Sequence, residues 1–384
     1  MSTLRVNTLQ NTSTTDGGIS IDNSGNVTLP ANTKVGTQNL PSAGPLSNRN
    51  LVINGAMQVA QRSSSPSTGT GYVTLDRWSF ERGSGVQQVS QQTLSSGDPY
   101  DEGFRSFART LNFTVSTNTN NFRRIYQRIE AQNLAESGWN YSSATSYITL
   151  SFWARASVAQ TYYIRLETND GTAQSYSSGF ALAADTWTKV TKTIPGNSNI
   201  TINTDNGVGL QLEFIPYYGT DFTTSGHTDD AWAAYDSASR VPDMTTTWNT
   251  TDDATFDVTG VQLEVGQVAT PFEHRSFGDE LARCQRYYQK MIVEDIKFAC
   301  SRWDQSSGVG ECNVYLRETM RLAPTFAFTG TWDTGTGWGG DPVMTLARPD
   351  VVVLTTTVST VAASGVKVLR SETTDASISF AAEL

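Results

Sequence analysis

With 384 residues, the chain is long enough for two or three domains, and its 37 acidic against 27 basic residues give a formal net charge of −10. That balance argues against nucleic acid as a partner, since phosphate binding needs a basic footprint. No run approaches the roughly 18 apolar residues of a membrane span, and the opening MSTLRVNTLQ has no apolar signal core, so neither membrane insertion nor classical secretion is expected.

Only 17% of residues are charged, while 9 Trp, 14 Tyr and 16 Phe accompany abundant Thr, Ser, Asn and Gly, a mixture suited to many short strands joined by turns. Residues 1–48 are polar and broken by glycine and proline, so they bury too little apolar surface to fold alone. Within them ISIDNSGNVTLP reads as a small hairpin, with Ile19 and Ile21 before the turn and Val27 and Leu29 after it. PSAGPLSNRN then serves as a linker.

From Asn50 the texture changes to regular short strands. Phe107, Arg109, Leu111 and Phe113 share one strand face. YITLSFWARA is the clearest strand: Ile148, Leu150, Phe152, Ala154 and Ala156 lie on one side, Thr149, Ser151, Trp153 and Arg155 on the other. TYYIRLE, TWTKVTKTI and GVGLQLEFI follow, then a long loop from Pro216 to Asp253 and a closing strand through Val265. Eight or nine strands with polar connections make a two-sheet antiparallel sandwich the economical architecture.

Residues 256–291 hold the one convincing helix signal. Phe256 and Val258 alternate with polar residues, and Val261, Leu263 and Val265 resume with shifted parity after Gly260, which predicts a β-bulge. Gly266 and Pro271 end the strand, and Ser276 with Asp279 forms a capping pattern, so a helix is expected from about Phe277. Its apolar stripe would comprise Phe277, Leu281, Cys284, Tyr287, Tyr288 and Met291. Such a stripe either docks on a sheet or packs against copies of itself; in the second case Phe277, Leu281, Cys284, Tyr288 and Met291 are the oligomer contacts.

Residues 296–384 read as a further, small β-rich unit, with Cys312, Val314 and Leu316 on one strand face. The cysteines Cys284, Cys300 and Cys312 have no zinc-type spacing and, without a secretory signal, read as reduced. A Cys300–Cys312 bridge is the alternative if those segments pair as a hairpin.

Catalysis finds little support. His227 and His274 are the only histidines, and no nucleophile elbow, Walker loop or H-E-x-x-H occurs. A glycosidase carboxylate pair is recognisable only in space, so no enzymatic activity is expected. Asp252, Asp253 and Asp257 lack ligand spacing, and neither metal nor cofactor is expected. Binding is better supported, because sugars stack their C–H faces on aromatic rings. Tyr217, Tyr218, Trp232 and Trp248 in the long loop, with Trp332 and Trp338 in a glycine-rich loop, are the candidate glycan contacts; covering the sheet ends or a subunit interface is their alternative role. Trp78, Trp153 and Trp187 sit in strand patterns and read as packing residues.

The stretch VQLEVGQVATPFEHRSFGDELARCQRYYQ resembles a signature shared by many bacteriophage tail-fibre and related virion structural proteins. The succession IYQRIE, SFWARAS, TWTKVTKTIP and FDVTGVQLEVG resembles the jelly-roll carbohydrate-binding modules of the galactose-binding-like type, a fold that also serves as a plain structural module. These resemblances imply an all-β chain: a virion-attachment arm at 1–48, a jelly-roll sandwich at 49–272, one short helix with a trimer contact at 273–295, and a β-rich tip at 296–384. They further imply a homotrimeric tail fibre of the virion, assembled in the host cytoplasm. Its arm would join other tail or virion proteins, and its body would attach to host-cell surface glycan. The alternatives are a capsid-surface or head-fibre decoration protein, a polysaccharide-degrading enzyme, and a carbohydrate-binding module.

Overall fold

The structure is a computed structural model that describes residues 48–292, 297–304, 309–332, 341–357, 368–370 and 376–384, with short strand segments before residue 48. Those segments are β1 (Thr8–Leu9), β2 (Ile19–Ile21), β3 (Val27–Thr28), β4 (Lys34–Val35) and β5 (Gln38–Asn39). β2 and β3 pair antiparallel, as the ISIDNSGNVTLP pattern predicts; the turn itself and Leu29 lie outside the described residues.

The body follows as β6 (Ser79–Arg82), β7 (Val86–Thr93), α1 (Asp98–Asp101), β8 (Ser106–Thr114), β9 (Phe122–Glu130), α2 (Ala131–Ala135), β10 (Tyr147–Ala156), β11 (Gln160–Thr168), β12 (Gln174–Leu182), β13 (Thr188–Pro195), β14 (Val208–Tyr218), β15 (Trp232–Ala234), α3 (Thr247–Thr250) and β16 (Ala254–Val265). The strands make two antiparallel sheets, ordered β13-β10-β16-β8-β7 and β15-β12-β11-β14-β9-β6, a jelly-roll sandwich. Two-residue periodicity decides what lies between them. Ile148, Leu150, Phe152 and Ala154 of β10 meet Tyr162, Ile164 and Leu166 of β11 and Leu210, Leu212 and Phe214 of β14 in one core, with Trp78 at its side. Each large apolar side chain so buried contributes about 1.5–3 kcal/mol, so the shared core rather than any one ladder holds the sheets together.

The β10–β16 register slips between Ser151 and Trp153, opposite Gly260, whose φ is +63°. A Cβ at this position would also meet the Phe104 ring at 2.7 Å. The bulge expected at Gly260 is therefore a requirement of both backbone and packing.

The remaining elements are α4 (Phe277–Gln285), β17 (Tyr288–Ile292), β18 (Lys297–Asp304), β19 (Val309–Tyr315), β20 (Thr325–Thr329), β21 (Val343–Ala347), β22 (Val351–Thr357), β23 (Val368–Arg370) and β24 (Ser377–Ala381). They add sheets ordered β17-β24-β20 and β21-β22-β19-β18-β23, over a second core that includes Met291, Val314, Val352, Leu354 and Phe380. α4 starts where the capping pattern places it: Ser276 Oγ accepts from the Asp279 amide at 3.1 Å. It ends six residues short of Met291, which corrects the expectation of one long stripe. Tyr288 and Met291 instead pair with Ala381 and Ile378 in a ladder, because strand pairing buries both Tyr287 and Tyr288, whereas a continued helix would leave one side of the segment wet.

Cys300 and Cys312 are ladder partners, and Cys312 is disulfide-bonded, which corrects the expectation of reduced thiols. Antiparallel partners hold their Cα atoms roughly 4.5–5.5 Å apart, within disulfide reach. Cys284 is free and buried, and burial pushes its thiol well above the usual range, so it is unreactive.

Candidate functional site

The two outer faces of the sandwich differ. On the six-stranded sheet, residues 219–253 fold back over the strands, and Phe222, Val241 and Met244 pack on Tyr163, Ile215 and Tyr218. His227 fastens this loop, its Nε2 lying 2.7 Å from Ser177 Oγ on β12. Beneath it Glu213 is fully buried and takes hydrogen bonds from Arg165 (2.9 Å), Arg124 (2.9 Å) and the Tyr218 hydroxyl (3.0 Å). Burial alone would raise this carboxyl, but the two guanidiniums prevail and hold it at about 2. That face is closed and its charges are spent on one another.

The five-stranded sheet keeps only part of its outer face open: Phe107 and Trp153 are buried in a cluster with Leu94 and Phe104, while Arg109, Leu111, Phe113 and Arg155 stay accessible. The alternation that buries Ala108 and Thr110 turns Phe107, Arg109, Leu111 and Phe113 outward on β8, and β10 likewise presents Trp153 and Arg155. Between these strands Asp257 of β16 is the register partner of both Arg109 and Arg155. Arg109 bonds it through two nitrogens at 2.8 and 2.9 Å, and Arg155 through two at 3.0 and 2.8 Å. The carboxylate is fully buried while the two arginine side chains remain 30% and 27% exposed. Its hydrogen bonds to Arg109 push that guanidinium above its ordinary value.

Aromatic rings frame the triad. The Arg155 guanidinium lies 4.8 Å from the Trp187 ring and 5.5 Å from Phe107, and Phe107 meets Trp187 edge-on at 5.5 Å. Trp153 donates its indole N–H to Glu102 at 3.0 Å, and Lys189 binds the same carboxylate at 2.8 Å. Lys189 and Glu102 are 40% and 39% exposed, and Phe113 is 51% exposed at the far end of β8. Partly exposed guanidiniums held by a buried acid, beside the half-buried Trp187 ring, offer hydrogen-bond donors next to an apolar surface. Such a surface fits a ligand with hydroxyls on its edge and C–H groups on its face.

The loop aromatics singled out by sequence lie elsewhere. Trp248 is fully buried and donates to the Thr255 carbonyl at 3.0 Å; Tyr218 and Trp332 are 1% exposed, and Tyr217 is 6% exposed. Trp232 is half-buried, with its N–H on the Pro195 carbonyl and its ring against Tyr176. Trp248, Tyr217, Tyr218 and Trp332 are corrected from ligand platforms to packing residues of the cores, because a ring with 150–250 Å² to bury seats against the nearest core, while Trp232 keeps part of its ring exposed. Trp338 lies outside the described residues. Of the expected oligomer contacts, Cys284, Tyr288 and Met291 are buried inside the chain, leaving only Phe277 (56% exposed) and the half-buried Leu281 accessible. Trp78 packs in the core as expected, whereas Trp153 and Trp187 pack on the outer face. The signal that could have found this face was the outward half of YITLSFWARA, where Trp153 and Arg155, two positions apart, share one side. Among the described residues no cluster of metal-ligating side chains occurs, and no helix is long and apolar enough to cross a membrane.

No family model matches the chain, the tail-fibre-like stretch included, and no curated protein matches it. Among solved structures it is similar to the enzymatically active domain of bacteriophage CBA120 tailspike protein 4, at 13% identity and a TM-score of 0.31 over 56% of this chain. It spans only 21% of that tailspike chain. A carbohydrate-binding module, CBM4, is matched at 13% identity and a TM-score of 0.29, over 56% of this chain and 98% of the module. The family 11 module from Clostridium thermocellum, solved with a mixed-linked tetrasaccharide, is matched at 9% identity and a TM-score of 0.26, over 55% and 99%. Likeness at these scores assigns neither ligand nor activity to this chain.

Proposed function

We propose that this chain is a non-enzymatic, glycan-binding structural protein of a phage particle, a homotrimeric tail fibre that holds the host cell through the outer face of its five-stranded sheet. The observation that carries the reading is the Arg109–Asp257–Arg155 triad on the open part of that sheet face, flanked by Phe107 and Trp187. A sugar ring lying on Trp187 would place adjacent hydroxyls against the guanidinium N–H groups, which Asp257 orients but does not saturate, since each arginine has five donors. The net charge of −10 suits a sugar ligand better than a polyphosphate. Three copies acting together would turn weak single-site contacts into durable attachment. Residues 1–48 would join the particle, following the tail-fibre resemblance of the sequence.

A glycan array probed with the full chain, beside Arg155→Ala and Trp187→Ala, tests the binding part. Binding by the wild type that falls about tenfold or more in both variants, with each variant still folded by circular dichroism, is the expected result; equal binding by all three would refute the site. Light scattering of the full chain at micromolar and lower concentration tests the assembly. A concentration-independent monomer would refute the trimer and favour a detached carbohydrate-binding module, and turnover of polysaccharide by the purified protein would refute the non-enzymatic part.

A further inference from the structure

A groove of about 400 Å³ opens beside α4, away from the sheet face described above. One part of its lining is apolar: Phe277, Leu281, Val59 and Ala60. Another part is amide, from Gln58, Gln61, Gln91 and Gln285. Lys290 and Arg317 supply the only charges among the described lining residues, and no carboxylate is present there.

That charge pattern is unusual for this chain. Many of its arginines are bound to acids, Arg77 to Glu383, Arg109 and Arg155 to Asp257, Arg165 and Arg124 to Glu213, and Arg286 to Glu130, while others such as Arg105, Arg123 and Arg321 are spent on backbone carbonyls. Lys290 reaches only the Arg62 carbonyl, at 3.3 Å, and neither it nor Arg317 has an ion-pair partner among the described residues. In a protein of net charge −10, two cations without an ion-pair partner among the described residues, at a groove whose described lining holds no acid, leave a local positive field there.

The volume is that of a small-ligand site, which typically spans 300–1,000 Å³. A bare inorganic anion would leave the apolar wall and the amides without a function. A neutral sugar would leave the cations so. We propose that this groove is a second binding site, specific for a carboxylate-bearing sugar such as a hexuronic or sialic acid residue. The pyranose C–H face lies on Phe277 and Leu281, its hydroxyls meet the Gln58 and Gln91 amides, and its carboxylate is held by Lys290 and Arg317. The site shares no residue with the sheet face, so it stands or falls separately from that reading.

The test is a calorimetric titration of the full chain with sodium glucuronate, sodium N-acetylneuraminate, glucose and sodium sulfate, at low and high salt. Binding of one sugar acid about tenfold or more tighter than glucose, weakening as salt rises, is expected, and which acid binds identifies the class. Lys290→Gln combined with Arg317→Gln should abolish that preference, and Phe277→Ala should weaken the acid about tenfold with native mass unchanged. Trp187→Ala should leave it intact. The proposal is overturned if neither acid is preferred over glucose, if sulfate binds as tightly as the acids, or if the double variant binds like the wild type. Loss of assembly in Phe277→Ala with acid binding retained would also overturn it, since the wall would then be a subunit contact.

Discussion

Arg77 and Glu383 form an ion pair although 306 positions separate them, with the Arg77 guanidinium 1% exposed and lying 3.5 Å from the Tyr287 ring centroid. The same stretch is held by Arg321, which donates to the Ala382 and Glu383 carbonyls, and by Arg128, which reaches the Leu384 carbonyl at 2.9 Å. Removing one partner of a buried pair leaves the other charge uncompensated, at a cost of about 3–5 kcal/mol. Glu383→Ala should therefore lower the denaturant midpoint markedly, more than Glu383→Gln, which keeps an acceptor. A midpoint within about 0.5 kcal/mol of wild type for Glu383→Ala would mean that the pair does not fasten residues 382–384 to the sandwich.

Two buried carboxyls make stability respond to pH in opposite directions. Glu213, held at about 2 against a usual 4.5, binds fewer protons folded than unfolded, so its contribution is present above 4.5 and lost as pH falls toward 2. Asp76 behaves in reverse. Burial raises it to about 6 from 3.8, against the opposing pull of Arg62 and Gln61, so its contribution is present below 3.8 and lost as pH rises through 6. Urea midpoints measured from pH 3 to 8 should thus show Asp76→Asn losing the decline between about 4 and 6. Glu213→Gln should lose the acid-side decline while being less stable at neutral pH, where Arg165 and Arg124 would face a neutral amide. An unchanged pH profile in both variants would refute the assignment.

Much of the sandwich was legible because large apolar side chains recur at every second position along its strands, although several of those strands are covered on both faces. β10, β11 and β14 carry alternation strong enough to place Phe152, Ile164 and Leu212 inward, and Gly260 marks its own bulge. Two things were not legible. Tyr287 to Ile292 has an apolar pattern compatible with helix or strand, and only its pairing with residues 377–381, far away in sequence, decides between them. The candidate face was missed for a related reason. Asp257 alternates innocuously with Phe256 and Val258, and nothing local reveals that register sets it between Arg109 and Arg155. Loop tryptophans drew attention by being in loops, yet loops that return across a sheet are themselves walls, as Trp248 shows.

The cysteines give a direct chemical check. Because Cys312 is disulfide-bonded and faces Cys300 across the ladder, unreduced peptide mapping should recover a linked Cys300–Cys312 pair. Cys284 should resist alkylation until the chain unfolds. A bridge closing so short a loop is worth roughly 3 kcal/mol in chain entropy, so Cys312→Ser should destabilise the second core by about that amount and spare the sandwich. Full alkylation of all three thiols in the native protein would contradict the bridge and the burial of Cys284 together.

Where a trimer would form can be narrowed by exposure. Met291→Asp should cost several kcal/mol whatever the assembly, because Met291 lies in the second core, so its effect on mass says nothing about an interface. Phe277 and Leu281 alone are too little for a stable contact, which needs about 800 Å² per partner, and Phe277→Asp should leave the native mass unchanged. The outer side of β21, β22 and β19 is broader. Tyr315 stands opposite Val351, Val353 opposite Leu346, and Val343 at the edge; Tyr315, Val343 and Leu346 are 74%, 60% and 45% exposed. An apolar face of that kind on an antiparallel sheet is usually covered in the assembled protein. Tyr315→Asp with Val343→Asp should accordingly reduce a trimer to monomers by light scattering while leaving thermal unfolding within about 1 kcal/mol of wild type. Trimers that survive this pair of changes would place the contact elsewhere on the chain.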